Sequence, residues 1–199
     1  MINKLSQSIF GALSRNGLVT NDNSYNSQML KYGIEIVISS LIETVIILLI
    51  SSIVNDIING LAFIIVFVST RNYTGGYHAN SHSKCTIVIS ASVIIIHLLC
   101  ILTFTKSDIV FLSILLIVGT IIVFIFTPII NSNKPINNKH KLLKYKLYST
   151  LLFTSYSFVG VVLYKYNIKV GLTIIYTLIL IMIFCIIGLI QERSKKYGS

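Results

Sequence analysis

Six long apolar blocks, at about 34–54, 57–70, 86–105, 109–130, 148–164 and 170–190, constrain this chain more than any other feature of its sequence. Most are rich in Ile, Leu, Val and Phe around the whole helical circumference, with none of the period-two alternation of a barrel strand. A helix crossing the hydrocarbon core needs roughly 20 apolar residues. It also satisfies every backbone polar group within its own segment. The blocks therefore predict an all-α membrane protein of six transmembrane helices, forming a single polytopic membrane domain over 1–199. The charged fraction agrees: 11% of the residues are charged, against about 25% in an ordinary soluble domain.

The N-terminal stretch lacks the basic region, apolar core and cleavage site of a removable signal. Residues 1–20 instead place Ile2, Leu5, Ile9, Phe10 and Leu13 near one helical face, which predicts an amphipathic helix lying in the membrane surface.

The net charge of +10 comes without any base-stacking or groove-reading motif, so no nucleic acid partner is expected. The basic residues set orientation instead. Lys4, Arg15, Lys31, Arg71, Lys84, Lys134, Lys139, Lys141, Lys144, Lys146, Arg193, Lys195 and Lys196 fall on one side of the six spans, and only Lys106, Lys165 and Lys169 on the other. The richer side is cytoplasmic by the positive-inside rule, which puts both termini, the 71–85 segment and the basic 131–147 loop inside. The Lys-rich loop suits anionic membrane lipid or an acidic substrate tail.

Chemistry concentrates in one polar segment, RNYTGGYHANSHSKC at 71–85. The block before it, 57–70, is about 21 Å long as a helix, short of a core roughly 30 Å thick, so a re-entrant turn is expected after it. Gly75 and Gly76 permit backbone conformations closed to other residues and let another stretch of chain approach closely. His78, His82 and Cys85 have the spacing H-x-x-x-H-x-x-C, which raises a metal site. None of the six carboxylates lies in the segment to serve as its base, so the stronger reading is a Cys–His pair without metal or other cofactor. Seven residues of straight helix separate Cα atoms by about 10.5 Å. The segment must therefore bend between His78 and Cys85, or His78 must meet the cysteine of a second subunit in a homodimer. Cys100 and Cys185 read as buried small hydrophobes in spans, and His97 as a satisfied interior histidine.

Arg71, Gly75, Gly76, His78, Ala79 and Cys85, in the pattern R-x-x-x-G-G-x-H-A-x-x-x-x-x-C, together with NKPI at 133–136, resemble the accessory gene regulator B (AgrB) family over essentially the whole chain. The resemblance implies a membrane cysteine endopeptidase of the Gram-positive cell membrane. Such enzymes cut the C-terminal tail from an AgrD-like precursor peptide and support its cyclisation to a thiolactone or lactone quorum-sensing signal. It places the catalytic cysteine on Cys85 and the catalytic histidine on His78. Arg71, Gly75, Gly76, Lys134 and Pro135 are candidate substrate-binding positions. TPIINS at 127–132 departs from the Ala-Pro start and acidic residue expected there. The competing expectations are a metal-dependent membrane protease and a small transporter using His78, His82 and Cys85.

Overall fold

Helix is the only regular secondary structure among the described residues, as lipid demands of a chain that must bond its own backbone groups. The structure is a computed structural model and describes residues 2–15, 24–76, 82–103, 108–129, 139–166 and 168–197. Its helices are α1 (Ile2–Arg15), α2 (Ser24–Ile53), α3 (Ile57–Thr74), α4 (His82–Thr103), α5 (Ile109–Phe126), α6 (Lys139–Lys165) and α7 (Lys169–Tyr197). All but α1 are long and apolar enough to cross a membrane, and the chain is a multi-pass membrane protein.

Local chemistry sets the helix ends. Asn55 turns the chain after α2 with φ of 56°. Asp108 caps α5 by accepting the Val110 N–H at 2.9 Å, satisfying one of the orphan donors of a first turn. Gly75 stops α3, its N–H bonded to the Arg71 carbonyl at 3.1 Å.

All the spanning helices but α5 outrun their apolar blocks at one end or both, and α3 and α6 do so beside the polar segments. The second block suggested 14 residues, but α3 has 18 and carries Arg71, Asn72, Tyr73 and Thr74 as its last turn. That turn is anchored: the Arg71 guanidinium lies 5.2 Å from the centre of the Phe67 ring and 5.3 Å from that of Phe184. At about 27 Å, α3 comes close to spanning the hydrocarbon core. α6 begins nine residues before its apolar block, and this Lys-rich start exposes Lys139, Lys141 and Lys144.

The chain divides into two compact units, Met1–Ile47 and Leu48–Ser199. In the first, Ser6, fully buried, donates to Glu35 at 3.0 Å, and Ser39 donates to Glu43 at 3.4 Å. Hydroxyls are thus on hand for the two carboxylates of the first span. In the second, α7 packs against α3, α4, α5 and α6. Phe63, Phe153, Leu172, Ile175 and Leu178 are buried at these contacts. Apolar side chains cover the outside as well: Ile58, Leu102 and Phe158 are about 70% exposed (70%, 68% and 72%), as faces turned to lipid rather than water can be.

Candidate functional site

Three stretches of main chain meet where α3 ends. The Thr74 carbonyl accepts the Ile129 N–H at 2.9 Å, which draws the strap after α5 against the turn. Gly75 follows with φ of 69° and Gly76 with φ of 120°, both in the region that favours glycine. A Cβ at Gly75 would lie 2.6 Å from the Ile129 carbonyl oxygen, and one at Gly76 would lie 3.2 Å from that of Phe184 on α7. The two glycines therefore serve as the sequence suggested. They let backbone approach backbone, with Ile129 on one side and α7 on the other.

Side chains brace the same turn. Thr74 is fully buried, and its side chain is hydrogen-bonded to that of Cys185. Tyr73 packs against Tyr145 and Tyr148 at the start of α6, with ring centroids 5.7 and 5.3 Å apart. The strap is tied down through Thr127, whose hydroxyl is 2.7 Å from both the Val123 carbonyl and the buried Ser149 hydroxyl. Ser149 in turn donates to the Lys146 carbonyl at 2.9 Å. TPIINS, the departure noted in the sequence, thus begins with a residue that joins the strap to α6.

Cys85 is the fourth residue of α4 and is half-buried, whereas Cys100 and Cys185 are wholly buried. A thiol in the first turn of a helix sits near the positive end of the helix dipole, where negative charge is favoured. Cys100 has Thr173 at 3.4 Å, so both interior cysteines have a hydroxyl partner within the bundle.

The structure brings Arg71, Gly75 and Gly76 together with Ile129 and Phe184. His78, Lys134 and Pro135 lie outside the described residues, as does the side chain of His82. Sequence reasoning missed Thr74, Thr127, Ile129, Ser149 and Phe184. Only Thr127 carried a signal, its departure from the expected alanine. Ile129 and Phe184 contribute carbonyls, which every residue possesses.

The chain spans about four-fifths of an AgrB-like protein of Clostridium perfringens (strain SM101 / Type A), 31% identical over 176 residues, which cover 84% of this chain and 80% of that one. An AgrB-like protein 2 of Clostridium perfringens (strain 13 / Type A) is 30% identical over 146 residues, 71% of this chain and 68% of that one. No solved structure matches. Residues 6–189 match the family described as accessory gene regulator B, and the match takes in most of α1, all of α2 to α6 and the first 21 residues of α7. The chain belongs to the accessory gene regulator B family.

Proposed function

We propose that this protein is a membrane-embedded cysteine endopeptidase that cuts the C-terminal tail from an AgrD-like precursor peptide, and that Cys85 is its nucleophile and His78 its acid and base. Family membership supports a role in processing a quorum-sensing peptide. The observation that carries the residue assignment is the contrast among the three cysteines. Cys85 alone is partly exposed, and it stands at the start of a helix in the family's motif segment.

The chemistry runs in two transfers. His78 takes the Cys85 thiol proton, and the thiolate attacks the carbonyl carbon of the scissile peptide bond. The C–N bond then breaks as His78 returns the proton to the leaving amine, which departs with the tail. A thioester between precursor and Cys85 remains. An internal cysteine or serine of the precursor attacks it, closing a thiolactone or lactone and regenerating the Cys85 thiol. Walls of membrane helix restrict water, which favours cyclisation over hydrolysis.

A fixed turn at 74–76 supports this reading, because catalysis by proximity needs rigid geometry on the main chain that carries the reacting groups. With thirteen of the sixteen basic residues on one side of the spans, both termini and the catalytic segment are assigned to the cytoplasm. Coexpression with the small precursor peptide, followed by mass spectrometry, tests the activity. Release of the intact C-terminal tail is expected. An uncut precursor, with the enzyme present in the membrane, would rule the assignment out.

A further inference from the structure

A cluster of charged and polar groups that this chemistry leaves unused sits at the other end of the second unit. Asp56, in the turn between α2 and α3, accepts a hydrogen bond from Lys169 Nζ at 2.9 Å and one from Asn59 Nδ2 at 2.6 Å. His97 on α4 has Nδ1 3.8 Å from Asp56 Oδ2 and Nε2 3.1 Å from the Ser51 hydroxyl oxygen. Hydroxyl, imidazole and carboxylate follow the order of a serine nucleophile's relay, but the distances decide against that chemistry. Asp56 is committed to Lys169 and Asn59 and stands beyond hydrogen-bond range of His97. Ser51 is wholly buried, so no substrate carbonyl reaches it. Burial pushes the Asp56 carboxyl up, but the hydrogen bonds from Lys169 and Asn59 and the Lys169 charge outweigh it and hold the group below the ordinary carboxylate range. Asp56 and Lys169 therefore face each other as a charged pair.

The pair joins the starts of two helices that run in the same direction and meet again at the 74–76 turn. Between these ends, Phe67 packs edge-on against Phe184 with centroids 6.2 Å apart. In lipid, apolar helix faces gain little from leaving one register for another, so polar contacts decide where two helices stop sliding. One residue of slip moves a helix by about 1.5 Å. A Cβ built at Gly76 would lie 3.2 Å from the Phe184 carbonyl oxygen, so a slip of that size alters how closely the turn approaches α7. Catalytic geometry tolerates about 0.5 Å, and a displacement of about 1 Å costs on the order of 10²-fold in rate.

We propose that the ion pair between Asp56 and Lys169 sets the register of α3 on α7, making both positioning residues for the 74–76 turn about 27 Å away along α3. The catalytic consequence rests on the function proposed above, whereas the register can be read without it.

Cys185 gives that second reading, because it is wholly buried on α7 and bonded to Thr74. In membranes of the full chain carrying Cys85→Ala and Cys100→Ala it is the last remaining thiol, since the chain has three cysteines. N-ethylmaleimide should modify it slowly. Asp56→Lys and Lys169→Asp should each raise that rate about tenfold or more by local opening, with Asp56→Asn intermediate and Lys169→Arg close to the parent. The exchanged pair, Asp56→Lys with Lys169→Asp, should return the rate to near the parent's. Asn59 Oδ1, buried and without a hydrogen-bond partner among the described residues, is available to accept from the ammonium that Asp56→Lys introduces. With Cys85 and Cys100 intact, precursor processing should follow the same order, falling about 10²-fold on charge reversal and recovering on exchange. Charge reversals that leave Cys185 as slow as the parent, or an exchange as fast as the single variants, would overturn the register role. Processing unchanged while Cys185 opens would overturn the positioning role. The Cys185 pattern in a parent that cuts no precursor would sink the function proposed above and leave the register role standing.

Discussion

At the end of the bundle that carries the 74–76 turn, main chain meets main chain. Ile129 N–H bonds the Thr74 carbonyl, and two glycines bring the chain against the carbonyls of Ile129 and Phe184. At the opposite end side chain meets side chain, with Asp56, Asn59, Lys169, His97 and Ser51 joined across α2, α3, α4 and α7. The difference is physical. Main-chain contacts fix a turn to a fraction of an ångström without using side chains to do it. Their cost is strain on a Cβ at two positions, greater at Gly75 than at Gly76. Side-chain contacts tolerate exchange of partners, which suits a fastening but not a reaction centre.

The largest effect that could break this contrast belongs to the proposed reacting pair. Cys85→Ser should lower processing on the order of 10³-fold or more, because a hydroxyl is a poor nucleophile beside a base matched to a thiol. His78→Ala should fall as far, and the double variant little further, since the two act as a unit. Both should still reach the membrane and bind precursor. A hydroxylamine-labile adduct between precursor and enzyme, absent from Cys85→Ser, is the positive sign. Undiminished cutting by purified Cys85→Ser would remove the chemistry from this end altogether.

Next in size is the turn itself. Gly75→Ala puts a methyl group where only 2.6 Å separates it from the Ile129 carbonyl oxygen, at a φ of 69° that L side chains rarely adopt. The strain is of the order of 1–3 kcal/mol, and relief by moving the strap should cost processing about 10²-fold. Gly76→Ala meets a looser contact, 3.2 Å from the Phe184 carbonyl oxygen, and should lose less. Processing rates of the two variants, normalised to the enzyme present in the membrane, check the order. Parent-like activity in Gly75→Ala would mean that the turn need not be rigid.

How legible the two ends were in the sequence differs for the same physical reason. Gly75-Gly76 pointed to a close approach of chain, because glycine lacks the Cβ that would keep another backbone away. Their partners stayed hidden, since a carbonyl of Ile129 or Phe184 has no residue-type signature. The pairing at the far end left no mark, since Asp56 and Lys169 stand 113 residues apart. Lys169 counted as a loop charge in the topology, yet it is the first residue of α7. His97 read correctly as a satisfied interior histidine, although Ser51 could not be named. Apolar blocks mark the stretch that touches lipid rather than the length of the helix. They placed all six spans, but missed the last turn of α3, where Arg71 is received by aromatic rings, and the exposed basic start of α6.

The smallest effect sharpens the comparison by placing a side-chain bond at the main-chain end. Thr127 ties the strap to α6 through Ser149, and Thr127→Val removes that hydroxyl while keeping the β-branched shape. Ser149 still donates to the Lys146 carbonyl, so no buried hydroxyl is orphaned. Hydrogen bonds between membrane helices average about 0.6 kcal/mol, and the loss should be of that size. The bond between the Ile129 N–H and the Thr74 carbonyl does not involve the Thr127 side chain, and it holds the strap against the turn at this point. Processing by Thr127→Val should therefore stay within about threefold of the parent, while thermal denaturation in detergent registers a small loss of stability. A fall as large as that of Gly75→Ala would show that the strap is positioned by its side chain, erasing the distinction between the two ends.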